Sequence, residues 1–481
     1  MILSNIFYDT INSFFLVYSG LLFLSYISIA ILSTFELSFY TKRNKHFRFK
    51  SISSYKALPS VSIIAPSYNE EQNIIENIRS LLSLQYPKLE VIVVNDGSKD
   101  NTLNKVIEHF ELTKINYSFT ETIKTQKIRG IYRSTNSAFS NFFFIDKENG
   151  GKGDAFNTGI NISRSDLFLG IDVDCIIEHD AIMRMVKPFL EEEDGRKVIA
   201  SGGVIRVANS CEVEDGRIVK VNFPKNIWAK FQVLEYFRAF TLGRMAWSKI
   251  NGLLIISGAF GLFDRKIALA VGGYDVTTVG EDLELVVRMR KHMHKIEKKA
   301  YKVAFIPDPL CWTEVPSTYK TLASQRNRWT RGSIDTIIKH RDMFFNPKYG
   351  LIGFISFPYW VMFEWLAPII EVIGIIYFII CILLGLVNFH IFFILTLFVF
   401  AFSLSFSAFA IFYEAYIFNR YKGYKFLLQV IVIAIAEMII FHPLNVLFSL
   451  KGNFDFFIKK NKKGWGNMTR TGFNSKNNTN E

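Results

Sequence analysis

Long runs of uncharged, apolar residues near both ends of the chain constrain its fold more than any other feature. Residues 13–34 contain no formal charge, and a helix of this length reaches about 33 Å, enough to cross the roughly 30 Å hydrocarbon core of a bilayer. A cleaved signal peptide begins with basic residues, whereas the first ten residues here include no cation. The sequence therefore predicts a retained N-terminal transmembrane helix within residues 1–40.

The second apolar region covers residues 347–458. Its long uncharged runs predict an interfacial helix followed by two membrane spans, near residues 365–387 and 390–412. A third apolar run, residues 426–450, is interrupted by Pro443. The sequence leaves open whether this run crosses the membrane, re-enters it or lies on its surface.

The net charge of +13 lies mostly in two short segments of the chain. Residues 41–50 and 451–481 together hold ten of the thirteen net positive charges, and both runs flank apolar segments. Membrane proteins carry such charges on their cytoplasmic side, so residues 41 onward are expected in the cytoplasm and no nucleic-acid partner is expected. Residues 459–481 are expected to form a basic, partly disordered tail.

Residues 41–346 have the composition of an α/β domain. Short β-rich runs at Val61–Ala65, Leu89–Val94 and Leu167–Ile171 read as buried strands, and residues 70–84 between the first two carry one apolar helical face. Such a strand–helix–strand unit predicts a mainly parallel sheet flanked by helices. The four cysteines are too few and too scattered for a disulfide framework or a zinc cluster, which favours a reducing compartment.

Two aspartates follow the third of these strands. Strand alternation would place Asp172 and Asp174 on one face, roughly 6.6 Å apart. Parallel sheets bind ligands at their carboxyl edge, and a hard cation shared with substrate phosphates suits such carboxylates. An isolated Asp-X-Asp is also typical of an ordinary polar turn, and this alternative stays open from the residues alone.

Other strand ends carry groups suited to a nucleotide. Tyr68 offers a ring for stacking on a base, and Glu70 and Asp96 offer acceptors for a base N–H or a ribose hydroxyl. Lys152 lies in a glycine-rich loop that lacks the Walker pattern, which disfavours a nucleotide-triphosphate hydrolase and leaves the cation to neutralise a diphosphate. Singly, each of these residues also fits a strand-end turn.

Two further segments carry charge near predicted helices. Glu281 and Asp282 precede an amphipathic run, where one carboxylate suits a general base, although acids at a helix start are also stabilised by the helix dipole. Residues 325–332 combine three arginines with Trp329, which can stack on a sugar ring. A lipid-headgroup surface would explain the arginines equally well.

These motifs, taken in their order along the chain and bracketed by membrane segments, resemble those of the family 2 inverting membrane glycosyltransferases. This group includes the synthases of hyaluronan, chitin, cellulose and poly-N-acetylglucosamine. The resemblance covers roughly residues 58–345 and implies a GT-A fold for nucleotide-diphospho-sugars. The motifs that carry it are Asn69-Glu70, Asn95-Asp96-Gly97, Gly151-Lys152 with Asn157, Asp172-Val173-Asp174, Gly280-Glu281-Asp282 and Gln325-Arg326-Asn327-Arg328-Trp329.

The resemblance also implies roles residue by residue. It makes Asp282 the catalytic base, and Asp174 the ligand of a Mg²⁺ or Mn²⁺ ion on the donor diphosphate. It assigns donor binding to Tyr68, Glu70, Asp96, Lys152 and Asp172, and contact with the diphosphate and the acceptor to Gln325, Arg326, Arg328 and Trp329.

The function implied is transfer of a sugar from a UDP-sugar, N-acetylglucosamine or glucose, to a growing β-linked polysaccharide, with the catalytic domain on the cytoplasmic side of the plasma membrane. The alternative is a single addition to a lipid-linked acceptor. Membrane lipids would surround the apolar helices. Because few spans are expected, a pore for the polymer would require a second copy of the chain or an export partner.

Overall fold

Parts of the two basic segments lie outside the residues that the structure describes. Residues 45–50 of the first and 461–481 of the tail are not described, so the expectations for them stay predictions. The computed structural model describes residues 2–44, 58–191, 195–214, 216–418, 421 and 424–460.

A ten-stranded sheet forms the centre of the α/β region, and a separate two-stranded hairpin packs against it. The strands are β1 (Val61–Ser67), β2 (Leu89–Asp96), β3 (Leu112–Lys114), β4 (Ile128–Ser134), β5 (Phe142–Lys147), β6 (Leu167–Ile171), β7 (Ile176–Ile177), β8 (Lys197–Val207), β9 (Glu212–Glu214), β10 (Arg217–Lys220), β11 (Phe260–Asp264) and β12 (Tyr301–Thr313).

The sheet order confirms the predicted mainly parallel architecture. Its strands follow the order β3-β4-β5-β2-β1-β6-β11-β8-β12-β7. β5, β2, β1 and β6 are parallel neighbours, and β8 and β12 form a second parallel pair. Only β4, β11 and β7 run opposite to the other strands of this described sheet, because their pairings are antiparallel.

Helices pack against this sheet and continue beyond it into the apolar regions. They are α1 (Ile2–Asn44), α2 (Ile74–Leu82), α3 (Thr102–His109), α4 (Lys152–Ile162), α5 (Ala181–Glu191), α6 (Ile227–Tyr236), α7 (Met245–Lys249), α8 (Arg265–Ala270), α9 (Glu281–His292), α10 (Tyr319–Lys339), α11 (Phe357–Tyr359), α12 (Ala367–Leu383), α13 (Phe389–Tyr413), α14 (Tyr424–Ala436) and α15 (His442–Phe457).

Shorter helical segments connect several of these elements. Three have 3-10 geometry, Ser137–Phe139, Arg341–Met343 and Pro347–Tyr349, and six have π geometry, namely Phe237–Arg244, Met293–Glu297, Ile352–Ser356, Trp360–Trp365, Glu414–Phe418 and Glu437–Phe441.

The first strand–helix–strand unit forms as its apolar pattern predicts. β1 and β2 are parallel, in register from Val61 with Leu89 onward, and both bury nearly continuous apolar runs, as parallel strands covered on two faces do. The helix between them, α2, buries Ile74, Ile78 and Leu81. This unit brings the carboxyl ends of β1 and β2 to the same edge of the sheet.

Within the part of the chain that the structure describes, three helices are long and apolar enough to cross a membrane: Tyr8–Asn44, Phe389–Phe418 and Phe426–Phe457. The last continues through the predicted interruption at Pro443. The proline lies just after the π-helical segment Glu437–Phe441, so the helix passes it with a changed hydrogen-bond pattern and does not end there. The structure thus makes one helix of the run that the sequence left open.

The span predicted at residues 365–387 is shorter than expected. α12 has 17 residues, or about 26 Å, less than the roughly 30 Å hydrocarbon core. It meets the segment Ile352–Trp365 at a bend of 47°. The bent pair is a fourth candidate span only if both parts cross the membrane as one unit.

Contacts on both sides tie the apolar helices to the α/β region. The end of α1 buries Leu37 completely, and its Tyr40 hydroxyl donates a hydrogen bond to Asp308. From the other side, Glu414 and Glu437 pair with arginines of the α/β region, Arg206 and Arg238 respectively. The apolar helices therefore hold the α/β region in a fixed position.

Candidate active site

Residues that follow β1 lie at the carboxyl edge of the sheet. Tyr68 is 45% exposed, and its ring is accessible from solvent. The backbone N–H of Glu70 donates to Thr102 Oγ1 over 3.0 Å, which fixes the turn after β1 against the start of α3. Both residues lie at the edge where the sequence predicts a nucleotide.

Asp96 ends β2 and is buried in a network of protein donors. Its carboxylate accepts from Lys147 Nζ at 2.6 Å and from the backbone N–H groups of Gly150 and Gly151 at 2.9 and 2.8 Å. Three donors leave little acceptor capacity for a base or a ribose. The Asp96 carboxylate therefore anchors the loop whose next residue, Lys152, begins α4.

The pair Asp172 and Asp174 lies in a turn, so the prediction from strand alternation is wrong. β6 ends at Ile171, where its pairing with β11 also ends, and the N–H of Cys175 then bonds to the carbonyl oxygen of Asp172 over 3.0 Å. Because the backbone turns there, strand alternation does not set where the two side chains point. Asp174 is 8% exposed.

Lys152 and Asp172 meet across the sheet edge. Lys152 Nζ lies 2.5 Å from Asp172 Oδ1. Burial lowers the pKa of Lys152, but the neighbouring charges of Asp172 and Glu281 outweigh it, and the net pKa is raised. The ammonium group therefore stays charged at neutral pH, where a diphosphate would need it.

Two acids occupy the start of α9. Asp282 Oδ2 accepts the backbone N–H of Gly258 at 2.9 Å, and Asp282 Oδ1 accepts the N–H of Leu283 at 2.9 Å. Glu281 is buried; its burial raises its pKa, and the positive charge of Lys152 opposes the rise.

Two glycines bring α9 and α10 into backbone contact. A Cβ on Gly332 would lie 2.7 Å from Gly280 Cα, and a Cβ on Gly280 would lie 2.8 Å from Gly332 Cα. No side chain fits at either position without separating the helices. The contact holds Asp282 beside the segment Gln325–Trp329 of α10.

The segment Gln325–Trp329 faces inward from α10. Arg326 makes a bidentate ion pair with Glu235, with both N–O distances 2.6 Å, and its guanidinium lies 4.4 Å from the centre of the Trp329 ring. Arg328 Nη1 lies 3.5 Å from the carbonyl oxygen of Val279. Trp329 is 38% exposed, which leaves part of its ring open for stacking.

A cavity of about 610 Å³ joins Lys152, Asp172 and the acids at the start of α9 to the segment Gln325–Trp329. Its lining combines α/β residues with residues of the apolar helices. The polar, charged and tryptophan side chains that matter here are Lys152, Asp172, Glu235, Arg244, Glu281, Asp282, Gln325, Arg326, Arg328, Trp329, Trp360, Glu364, Trp365, Asn445 and Ser449.

Family models and curated relatives identify the class of protein. A model of glycosyltransferase-like family 2 matches residues 59–332, more than half of the chain. The chain belongs to this family. It is a glycosyltransferase, as the motifs predict. A chitin synthase model also matches residues 274–458, which reach into the apolar helices of this glycosyltransferase.

Two curated relatives of this family 2 glycosyltransferase are poly-beta-1,6-N-acetyl-D-glucosamine synthases. That of Staphylococcus epidermidis is 28% identical over 336 residues, covering 70% of this chain and 67% of the relative. That of Staphylococcus aureus strain COL is 27% identical over 317 residues, covering 66% and 63%. The chain thus spans about two thirds of the relatives' length.

Among solved structures, this glycosyltransferase is similar to a mannosyltransferase from Pyrobaculum calidifontis determined with GDP-Man and Mn²⁺. The two are 17% identical with a TM-score of 0.49, covering 91% of this chain and 99% of the other.

The cavity of this family 2 enzyme unites only some of the predicted site residues. It brings together Lys152, Asp172, Asp282 and the predicted residues of the segment Gln325–Trp329. Among the described residues, its lining does not include the four others, which are Tyr68, Glu70, Asp96 and Asp174.

Several lining residues of this glycosyltransferase were not predicted. Glu235 and Arg244 belong to a helical stretch with no strand end or glycine loop to mark it, and Glu364 and Trp365 lie in a run that reads only as apolar. One available signal was a charged residue inside an apolar segment, which often marks a functional site. Applied to Glu364, this rule would have found it.

Proposed function

We propose that this glycosyltransferase is an inverting, membrane-embedded polysaccharide synthase. It transfers a sugar from a UDP-sugar, N-acetylglucosamine or glucose, to the growing end of a β-linked polysaccharide and repeats the transfer on the same product. One observation carries the proposal: the cavity that contains Lys152, Asp172 and Asp282 is also lined by Trp360 and Trp365, next to the apolar helices. The sugar donor, the catalytic base and the start of the path taken by the product would all lie in this one cavity.

The names of the relatives support N-acetylglucosamine as the sugar. The two curated relatives are poly-N-acetylglucosamine synthases, and the second matching family model is that of chitin synthases. Three tryptophans in the cavity, Trp329, Trp360 and Trp365, offer rings for successive sugars of an extended product. A single sugar on a lipid would need fewer such surfaces, which favours the polymer.

Asp282 is proposed as the general base. Its carboxylate, held by the N–H of Gly258, takes the proton from the acceptor hydroxyl as that oxygen attacks the anomeric carbon from the side opposite the leaving UDP. One base and one displacement invert the anomeric centre.

Cations of the cavity are proposed to stabilise the leaving diphosphate. Lys152 and Arg328 both line the cavity and supply positive charge where UDP gains negative charge. Asp172 orients Lys152 through their ion pair. Tyr68, Glu70 and Asp96 are proposed to form the uridine end of the donor site, with Asp96 acting through the loop that it anchors.

Asp174 is proposed to hold a Mg²⁺ or Mn²⁺ ion together with Asp172. No group of three or more His, Cys, Asp or Glu side chains suited to a metal occurs among the described residues. A pair of carboxylates fits an ion that takes its remaining ligands from substrate phosphates and water. When bound, the ion would neutralise charge on the diphosphate.

The domain boundaries and the orientation in the membrane are also proposals. Residues 41–346 would face the cytoplasm, between the anchor at 1–40 and the membrane region at 347–458, in the plasma membrane. Lys42 and Arg43 at the end of α1 support this orientation under the positive-inside rule. With three or four candidate spans, a second copy of the chain or an export partner would complete the product path.

The size of the product tests this function. Purified protein in lipid vesicles, given radiolabelled UDP-N-acetylglucosamine and UDP-glucose separately with Mg²⁺, is expected to make a long, glycosidase-sensitive polymer from one donor. A labelled lipid carrying one sugar would instead support the single-addition alternative. Formation of neither product from either of these two UDP-sugars would overturn the proposal.

A further inference from the structure

Arg244 is a partly buried cation in the cavity, and none of the assigned roles uses it. It ends the π-helical segment Phe237–Arg244 and lines the cavity. Its guanidinium stacks on Phe240, 4.0 Å from the ring centre, and lies 5.9 Å from the Phe305 ring. These rings hold the plane of the guanidinium, so its N–H groups project from a rigid support.

The hydrogen-bonding capacity of this guanidinium is not satisfied within the protein. Arg244 Nη1 is buried and has no hydrogen-bond partner among the residues that the structure describes. Buried cationic donors are costly to leave unpaired, and native proteins nearly always complete them with protein, water or ligand. A donor in this position next to a cavity fits an oxygen supplied by a bound molecule.

Different carboxylates act on the two cations Lys152 and Arg244. Asp172 and Glu281 raise the pKa of Lys152 against the effect of burial. Burial lowers the pKa of Arg244 to about 10, and it is the charge of Asp282 that opposes the fall. Arg244 therefore remains charged at neutral pH, and the carboxylate whose charge acts on it is the proposed base, Asp282.

The other arginines that line the cavity have protein groups as hydrogen-bond partners. Arg326 is committed to Glu235 in a bidentate pair, and Arg328 makes a contact to the Val279 carbonyl oxygen. Arg244 differs in that no carboxylate of the described residues pairs with it, while the Phe240 ring holds it and its buried Nη1 lacks an acceptor. Its geometry suits recognition of a ligand more than support of the fold.

We infer that Arg244 binds an oxygen of the acceptor's terminal sugar, a hydroxyl or an amide carbonyl, and so positions the attacking hydroxyl at Asp282. This inference rests on the proposed function and adds an acceptor-side contact to it. A neutral oxygen is the fitting ligand because the acceptor of a polysaccharide synthase presents hydroxyl and amide oxygens. Arg244 would govern acceptor capture without contributing to donor binding.

The test compares transfer of N-acetylglucosamine to the acceptor sugar, which gives polymer, with its transfer to water, which gives free sugar. Arg244→Gln and wild type in lipid are given radiolabelled UDP-N-acetylglucosamine, and polymer, free sugar and UDP affinity are measured. We expect UDP affinity and release of free sugar within twofold of wild type, and at least a tenfold fall in the ratio of polymer to free sugar. Arg244→Lys, which keeps charge but loses the planar fork, is expected to recover part of this ratio.

Arg290→Gln is the matched control. Arg290 is a buried arginine that, like Arg244, has its pKa lowered by burial and faces an aromatic ring, that of Tyr301. It differs because Asn251 accepts hydrogen bonds from both of its Nη atoms and because it does not line the cavity. Its variant is expected to lose thermal stability while keeping the wild-type ratio of polymer to free sugar.

Three outcomes would overturn the inference. One is an unchanged ratio in Arg244→Gln, and another is loss of UDP affinity in that variant, which would put the residue on the donor side or in the fold. The third is the same fall in ratio in Arg290→Gln, which would mark a general effect of losing a buried cation. Absence of any transfer by wild type from UDP-sugars would overturn the proposed function itself, and this inference with it.

Discussion

Asp282 is the side chain on which the proposed chemistry depends most directly. Its carboxylate lines the cavity and is oriented by the Gly258 N–H. Asp282→Asn preserves this size and shape but removes the proton acceptor, so we expect transfer to fall by about 10²–10⁴-fold. UDP affinity, measured by calorimetry in the presence of Mg²⁺, should stay near the wild-type value. Substantial turnover by the variant would exclude Asp282 as the base.

Asp174 allows a test of the metal proposal. Asp174→Ala is expected to raise the Mg²⁺ concentration for half-maximal transfer at least tenfold, because one of two carboxylates beside the diphosphate is lost. Titration of activity with Mg²⁺, and separately with Mn²⁺ after treatment with a chelator, measures this shift. An unchanged metal requirement would remove Asp174 from the metal site.

Asp275 gives a pH-dependent contribution to stability. Burial alone would raise the pKa of Asp275, but hydrogen bonds from Lys339 and Thr277 lower this pKa to about 2. A lowered pKa stabilises the fold above the ordinary carboxyl pKa, and the effect is lost as the pH falls from about 4 to about 2. Since both side chains of the Lys339 pair keep some exposure, Asp275→Asn should cost about 1 kcal/mol at pH 7.

Thermal unfolding of detergent-solubilised protein measures this cost. The difference between Asp275→Asn and wild type should shrink at pH 3 relative to pH 7. A difference that stays constant across this range would show that the pair with Lys339 is not its source.

At the scale of elements, the contact between α9 and α10 sets the position of the base. Gly332→Ala places a methyl group against Gly280, where a Cβ would lie only 2.7 Å from backbone atoms. Separation of the helices by about 1 Å would cost about 10²-fold in turnover. Gly20→Ala is the matched control in a helix, since a Cβ there meets nothing within 4 Å.

Turnover and unfolding temperature measured on both glycine variants test this contact. Gly20→Ala should behave as wild type. Wild-type turnover in a folded Gly332→Ala protein would show that the position of Asp282 does not depend on the contact between the two helices.

Elements that depend on local pattern were predictable, whereas those that depend on distant contacts were not. The β1–α2–β2 unit followed from its buried runs and one apolar helical face. The turn at Asp172 did not, because β6 ends where its neighbour β11, far along the chain, stops pairing. Arg244 carries no local signal either, since its role comes from its packing on Phe240 and its position in the cavity.

At the scale of the whole molecule, buried ion pairs join the catalytic region to the apolar helices. Arg206 and Glu414 are both about 1% exposed and paired. Glu414→Gln leaves a buried cation without its counter-charge, which typically costs about 3–5 kcal/mol. Glu212, whose pair with Lys220 is exposed, is the control, because Glu212→Gln should cost less than about 1 kcal/mol.

Unfolding in detergent, followed by intrinsic fluorescence, compares these two glutamate variants. Equal and small effects would mean that the pair at Glu414 does not hold the apolar helices against the catalytic region.

The central claim is that one cavity joins the donor edge of the sheet to the apolar helices. An electron cryomicroscopy map of Asp282→Asn in lipid, with UDP, Mg²⁺ and an N-acetylglucosamine oligosaccharide, tests it most directly. UDP density is expected beside Lys152 and Asp172, and sugar density is expected to run past Trp329 toward Trp360 and Trp365. Sugar density that leaves the cavity away from the apolar helices, or UDP bound outside the cavity, would contradict a polysaccharide synthase of this design.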